Sequence, residues 1–368
     1  MDALASSRPT MPNSAWLRKF QRQILAWYGG AARDLPWRAD RDPYRVWISE
    51  IMLQQTQVAT VRAYFERFSA AFPTVTDLAA ADEAEVLRLW EGLGYYRRAR
   101  QLHAAAQVIA DEHRGKFPRE FAAILALPGV GRYTAGAICS IAYDQPAPIL
   151  EANTIRLHAR LLAYREDPTK TAGQRLLWQF AEHILPTEDV SSFNQALMEL
   201  GSEICTPRNP QCGVCPVATL CQAKRENAVA EIPVPKKKMQ YEDRTEVAII
   251  VRRKKEVLLR QCGADERWAG LWDFPRFQVA SEAELLSGEL ASQLEERTGL
   301  SAAIGSRLTT IKHGVTKYRI TLHCHEAEGM TGRLRKDATA PLVWAAVDKL
   351  ADFALSTTGR KIAQLLAK

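Results

Sequence analysis

Four cysteines fall within seventeen residues, in CTPRNPQCGVCPVATLC from Cys205 to Cys221, and no other feature restricts the fold of this chain as sharply. Six, two and five residues separate Cys205, Cys212, Cys215 and Cys221. The N-terminal segment MDALASSRPTMPNSAW lacks the apolar core of a secretion signal, and no apolar run reaches the roughly 18 residues of a membrane span. A soluble cytoplasmic protein is therefore expected, in a compartment that keeps thiols reduced, so the four cysteines point to metal ligation and not to disulfides. Structural zinc sites usually pair two short Cys-x-x-Cys loops, and here there is one. Iron–sulfur clusters are often bound by one compact, unequal run of four, which favours a 4Fe-4S cluster over zinc. Cys139, Cys262 and Cys324 are scattered among apolar residues and are expected as small core side chains.

The chain around this run changes texture once. From Ala15 to about Leu220 the pattern is helical: Trp47, Ile51, Val58, Val61, Phe65 and Phe68 recur as one face of a helix should. Asp82 with Glu85 predicts a capping box for a helix stopping at Gly92 and Gly94, and Tyr96 to His113 is a further run closed by Gly115. IPVPKKKMQ, with two prolines and three lysines, reads as a linker within 228–244. Beyond it, TEVAIIVRRKKEVLLRQC and RLTTIKHGVTKYRITLHCHE each predict a hairpin, while ASEAELLSGELASQLEERTGL and GRKIAQLLAK predict helices. With 368 residues, 47% of them apolar, both halves can bury a core. The expected domains are 13–227, mainly α-helical and including the cysteine loop 205–221, and 245–368, α+β. The net charge of +7 permits a polyanionic partner without requiring one.

LPGVGRYTAGA, from Leu127 to Ala137, points to such a partner. Gly129 and Gly131 are expected to free the backbone and leave amide groups uncovered at the start of a helix near Tyr133, where anions are attracted. Ile124, Leu127 and Val130 would pin the turn. A helix, a glycine turn and a second helix make a helix-hairpin-helix, which holds DNA backbone without reading sequence.

A helix-hairpin-helix followed by Cys-x6-Cys-x2-Cys-x5-Cys resembles the endonuclease III superfamily of DNA glycosylases. Within it, LPWR (Leu35 to Arg38), WISEIMLQQTQV (Trp47 to Val58), EGLGYYRRAR (Glu91 to Arg100) and FNQALMELGSEICTP (Phe193 to Pro207) resemble the adenine DNA glycosylase, or MutY, family. The resemblance covers nearly the whole chain. It implies a helix-hairpin-helix glycosylase domain with a 4Fe-4S loop and a C-terminal Nudix-like domain. It also implies a monomeric, bacterial-type, nucleoid-associated enzyme that removes adenine mispaired with 8-oxoguanine or guanine in double-stranded DNA.

The resemblance also assigns residues. Adenine must be protonated as its glycosidic bond breaks, and Glu50, among Val46, Trp47, Ile48, Ile51 and Met52, is the candidate acid, its pKa expected to rise in such surroundings. The family's Asp-Gly-Asn segment corresponds to Glu151, Ala152 and Asn153, so Glu151 stands where an Asp is usual. Glu151 and Tyr133 would stabilise the cationic sugar, and Asn153 would bond near the base. Strand-cutting relatives carry a lysine at the position of Tyr133, so a glycosylase without an efficient lyase step is implied. Gln55 and Tyr95 match positions entering the base stack, and Arg38 and Gln195 match positions contacting the flipped adenine. Arg97, Arg98, Arg100 and the linker lysines are candidate phosphate contacts.

The C-terminal resemblance rests on Val247 to Leu259, WAGLWDFPRF and KHGVTKYRITL. A working Nudix hydrolase needs an Arg-Glu and a Glu pair to hold magnesium. Here Ser292-Gln293 and Glu296-Arg297 fill those places, which leaves lesion recognition as the role. Where the family loop reads Phe-Ser-His this chain has Val315, Thr316 and Lys317, with Thr316 keeping the hydroxyl. The alternatives are an endonuclease III-like pyrimidine glycosylase and lyase, separated by Tyr133, and a non-catalytic DNA-binding relative, opposed by Glu50.

Overall fold

A computed structural model describes residues 9–234, 239–280, 288–336 and 340–367. The expected linker lysines Lys236 to Lys238, and 281–287 of the expected helix, lie outside these residues. The chain divides into two compact units, one of residues 1–80 and 101–237, the other of 81–100 and 238–368.

The first unit is helical because its apolar residues recur at helical spacing. The Ser14–Ala31 helix starts at Asn13, whose side chain accepts from the Trp16 amide at 3.0 Å. It buries Phe20 and Ile24 against Phe180, Phe193 and Leu200, each aromatic contributing about 1.5–3 kcal/mol of transfer free energy. The run from Trp47 to Phe68 is two helices where one was expected, Pro43–Leu53 and Val58–Ala71. Between them Gln55 takes φ +59°, a left-handed backbone that ends a right-handed helix. Each helix still buries its share of the repeat. Ala228 and Ile232, within the expected linker, are buried in the core of this unit.

The expected capping box at Asp82 is not formed. The Glu83–Leu89 helix starts there without a side-chain cap. This segment is held within the second unit: Arg360 Nε and Nη2 donate to the Glu91 carboxylate at 2.6 and 2.8 Å, and Arg100 donates to the Ala269 carbonyl. Arg97–Glu112 is the next helix, and Gly115, at φ +71°, closes its end as expected.

Among the described residues the second unit has two sheets. Strands β1 (Glu242–Ile250), β2 (Arg252–Arg253), β3 (Glu256–Gln261), β4 (Trp272–Asp273), β5 (Arg276–Val279), β6 (Leu300–Val315), β7 (Tyr318–Gly332) and β8 (Leu342–Ala346) form one sheet of order β5-β1-β7-β6 and another of order β2-β3-β4, with β8 on β3. The first expected hairpin shrinks to β2 and β3, since β1 pairs with β5 and runs parallel to β7. The reason lies in burial. Val247 and Ile249 face one core while Ala248 and Ile250 face another, so β1 is covered on both sides and takes a central place. The second hairpin is as expected: β6 and β7 pair through Val315 and Tyr318, leaving Thr316 and Lys317 as the turn. The Glu289–Thr298 helix, closed by Gly299 at φ +76°, and the Thr357–Leu366 helix complete the unit.

Candidate active site and iron–sulfur centre

The glycine turn joins the Phe121–Leu125 and Arg132–Tyr143 helices. Ile124, Leu127 and Val130 are buried and pin it. Gly129 has φ +74°, and a Cβ there would stand 2.7 Å from Gln101 Cβ, so glycine is required. Gly131 corrects the sequence reading. Its backbone is extended, at φ −96° and ψ 176°, and a Cβ would meet nothing within 4 Å. It starts the Arg132–Tyr143 helix with no side chain accepting from the first amides, which leaves them for an anion.

That helix carries Tyr133 to the Pro43–Leu53 helix, where the Tyr133 hydroxyl donates to Glu50 Oε2. Glu50 is 5% exposed. Burial pushes its carboxyl up to about 7, against the pull of the Tyr133 hydrogen bond and of Arg38, and the nearby Glu151 charge pushes the same way as burial. Tyr133 is raised well above the ordinary phenol, first by burial and then by the Glu50 and Glu151 charges. Glu50, Tyr133 and Glu151 therefore form one electrostatically coupled group.

Glu151 caps the Ala152–Leu161 helix with both carboxylate oxygens, accepting from Asn153 N at 2.8 Å and Thr154 N at 2.9 Å, while its own amide donates to Thr154 Oγ1 at 2.8 Å. Burial nevertheless holds its pKa above the usual range, outweighing these amides and Arg156. Asn153 Oδ1 accepts from Arg156 Nη2 at 3.0 Å, and the same guanidinium donates to the carbonyls of Gly201 and Cys205. A Cβ on Gly201 would come within 2.8 Å of Asn153 Cβ. Asp144, the nearest preceding carboxylate in the chain, ends the Arg132–Tyr143 helix and accepts from Ser191 N at 2.8 Å.

Arg38 and Gln195 fall in a second polar group whose centre the sequence reading missed. Glu199, fully buried, accepts from Arg38 Nη2 at 2.8 Å and from Arg33 Nε at 2.5 Å. Burial pushes the Glu199 carboxyl up, but the two guanidiniums outweigh it and hold its pKa low. Tyr28 donates to Gln195 Oε1 at 3.3 Å. Glu199 sits inside the FNQALMELGSEICTP segment, and a carboxylate on the apolar face of that helix was the signal available.

Gln55 and Tyr95 are both exposed and both have positive φ, +59° and +47°. Tyr96, in contrast, is buried. Arg98 is spent on structure, lying over the Trp90 and Tyr95 rings and donating to the Leu93 and Gly94 carbonyls, whereas Arg97 is exposed. Thr316 is exposed at φ +52° at its hairpin tip, its hydroxyl donating to the Val315 carbonyl at 2.7 Å.

Among the described residues no group of three or more His, Cys, Asp or Glu side chains is placed to hold a single metal ion. Cys205, Cys212, Cys215 and Cys221 instead border one common cavity, closed by Leu157, Val217 and Ala218. Arg160, buried behind it, donates from Nη1 to Cys205 Sγ at 3.3 Å. Four thiols around one apolar-walled cavity, with a cation facing the sulfurs, fit a cluster and its negative charge. Cys139 and Cys324 are buried as expected, but Cys262 lines a cavity in the second unit.

Residues 48–183 match the HhH-GPD superfamily base excision DNA repair protein family, residues 205–221 the iron–sulfur binding domain of endonuclease III, and residues 246–365 the NUDIX domain. The cofactor is a 4Fe-4S cluster. A thermostable thymine-DNA glycosylase is similar at 31% identity and TM-score 0.53, over 58% of this chain and 98% of that one. An endonuclease III–DNA complex, 23% identical with TM-score 0.50 over 59% of this chain and 99% of that one, shares the fold. The adenine DNA glycosylase of Rattus norvegicus is 47% identical over 55% of this chain, which spans 41% of that protein. The adenine DNA glycosylase of Buchnera aphidicola subsp. Schizaphis graminum is 38% identical over 261 residues, 71% of this chain and 75% of that one. On these similarities, and with the coupled carboxyls and cysteine-lined cavity in place, the chain belongs to the adenine DNA glycosylase family.

Proposed function

We propose that this protein is a monofunctional glycosylase that binds double-stranded DNA as a monomer and hydrolyses the N-glycosidic bond of adenine paired with 8-oxoguanine or guanine. The observation that carries the reading is Glu50, a buried carboxyl whose pKa stands near 7 and whose Oε2 accepts from Tyr133. Its other oxygen is left to carry the proton that the departing adenine takes up, so that the base leaves neutral. As the bond breaks, positive charge grows on the sugar. The Glu151 carboxylate stabilises that charge, held in place by two backbone amides, and Asn153, fixed by Arg156, orients the base. Arg38 and Gln195 contact the adenine once it is flipped out. The 4Fe-4S cluster supplies structure and charge at the 205–221 loop, where the four cysteines hold it.

Tyr133 separates this function from a glycosylase–lyase, because a phenol has no amine with which to form a Schiff base. Thr316 and its hairpin are the proposed contact to 8-oxoguanine. The deciding experiment is a duplex with adenine opposite 8-oxoguanine, followed by hot alkali. Strand scission only after alkali is expected. Scission without alkali would support the lyase, and none with alkali the non-catalytic relative.

A further inference from the structure

Tyr95, matched to a position entering the base stack, is an aromatic side chain left 52% exposed on a strained turn. Its φ is +47°, with Gly92 at +99° and Gly94 at +71°, so the backbone is left-handed at three of the residues from 92 to 95. For a tyrosine such a backbone costs about 1–3 kcal/mol, and it persists only where the surroundings impose it. Within the turn, Trp90 Nε1 donates to the Gly94 carbonyl at 3.2 Å, and Arg98 Nη2 donates to the Leu93 and Gly94 carbonyls, each at 3.3 Å. The Arg98 guanidinium also lies over the Tyr95 ring, at 5.6 Å from its centre.

The turn is fastened on both flanks to chain far away in sequence. Ahead of it, Glu91 accepts from Arg360 Nε at 2.6 Å and Nη2 at 2.8 Å, and from the Leu355 amide at 3.3 Å. Arg360 itself is fixed, donating from Nη1 to the Leu350 carbonyl and from Nη2 to the Phe353 carbonyl, each at 2.7 Å. The two side chains are only 14% and 21% exposed. A two-pronged guanidinium–carboxylate contact sheltered from water sets direction as well as distance, which a solvated surface pair does not. Behind the turn, Arg100 donates to the Ala269 carbonyl, and a Cβ on Gly270 would stand 3.4 Å from Leu87 Cδ1.

Residues 81–100 lie outside the stretch that matches the NUDIX domain, 246–365, yet belong to the same compact unit. Ala269, Leu350, Phe353 and Arg360 all lie inside that stretch. We propose, resting on the assignment of Tyr95 to the base stack, that Arg360 acts through Glu91 as a positioning residue for Tyr95. The unit bearing Thr316 thereby also sets the ring that opens the stack for adenine. Loosening the pair lets the left-handed turn relax, so adenine is extruded more slowly whichever base stands opposite.

The test is stopped-flow mixing of full-length, cluster-loaded protein with duplex carrying fluorescent 2-aminopurine in place of the adenine, opposite guanine and opposite 8-oxoguanine. Arg360→Gln and Glu91→Gln should each slow extrusion by about fivefold or more with both opposite bases, and Tyr95→Ala by at least as much. Adding Arg360→Gln to Tyr95→Ala should slow it no further, because the ion pair acts through a ring already removed. Glu91→Gln keeps an oxygen for Arg360 and carries the test where Arg360→Gln fails to fold. Equal slowing by Arg360→Gln with and without the Tyr95 ring would mark the pair as structural only and overturn the proposal. So would parental extrusion by Glu91→Gln while Tyr95→Ala is slow. Parental extrusion by Tyr95→Ala would instead overturn the assignment of Tyr95 to the stack, and the positioning role with it.

Discussion

Glu50 is a helix residue held in surroundings far from those of a helix surface. Burial raises its pKa from 4.5 to about 7, so the folded protein holds this proton more tightly than the unfolded chain. Below about pH 4.5 both states are protonated and the residue costs nothing. As pH rises toward 7 the unfolded state alone ionises, and stability falls until the folded pKa is passed. Glu50→Gln should accordingly raise stability by about 1–3 kcal/mol at pH 8 and converge with the parent near pH 4.5, as thermal midpoints would reveal, while single-turnover excision is lost. In the parent protein, excision under single-turnover conditions should decline as pH rises through about 7, because the acid form is consumed. Glu151 poses a different question, since the family has Asp there. Aspartate is a better N-cap, and one methylene fewer moves the carboxylate by about the 1 Å that can cost a hundredfold in rate. Glu151→Asp should retain activity if the Ala152–Leu161 helix start adjusts, and Glu151→Gln should lose most excision while DNA binding persists. A Gln variant that excises at the parental rate would remove Glu151 from the mechanism. Glu50, Tyr133 and Glu151 could each be singled out from a distinctive segment, and the structure brings the three together. Glu199 and Arg156 could not: their importance comes from partners more than 100 and 40 residues away, Arg33 at a separation of 166 and Cys205 at 49.

At the scale of elements, the glycine turn and the cysteine loop make opposite demands on their residues. Gly129→Ala should be strongly destabilising, because a methyl group would meet Gln101 at a left-handed backbone position, whereas Gly131→Ala should leave thermal stability nearly unchanged and mainly test DNA affinity. Comparing midpoints and duplex binding of the two variants checks the distinction. The cluster loop has little regular structure beyond short turns such as Ala218–Leu220. Protein made with ample iron should be brown and hold about four irons per chain. Cys212→Ser should lower soluble yield and DNA affinity before it lowers the chemical step. Stoichiometric zinc without iron would refute the cluster.

For the whole molecule, the second unit is not one run of chain, because 81–100 belongs to it and Glu91 there accepts from Arg360, so truncation tests the Nudix-like stretch together with that tie. A protein ending at Lys238 should still excise adenine while losing much of the preference for 8-oxoguanine over guanine as the opposite base. Unchanged preference would show that the Val315 to Lys317 hairpin does not read the lesion. What the sequence by itself determined was local: helical repeats, the glycine turn, the 316–317 hairpin tip and the cysteine spacing, all set by neighbours a few residues apart. Tertiary structure decided the rest. A continuous apolar run cannot say which strands will flank it, so the parallel pairing of β1 with β7 emerged only when two cores were seen to cover its faces. Nor can one carboxyl's pKa be read from its flanking residues, since the value at Glu50 follows from the closure of the core around it, against the pull of a phenol 83 residues away.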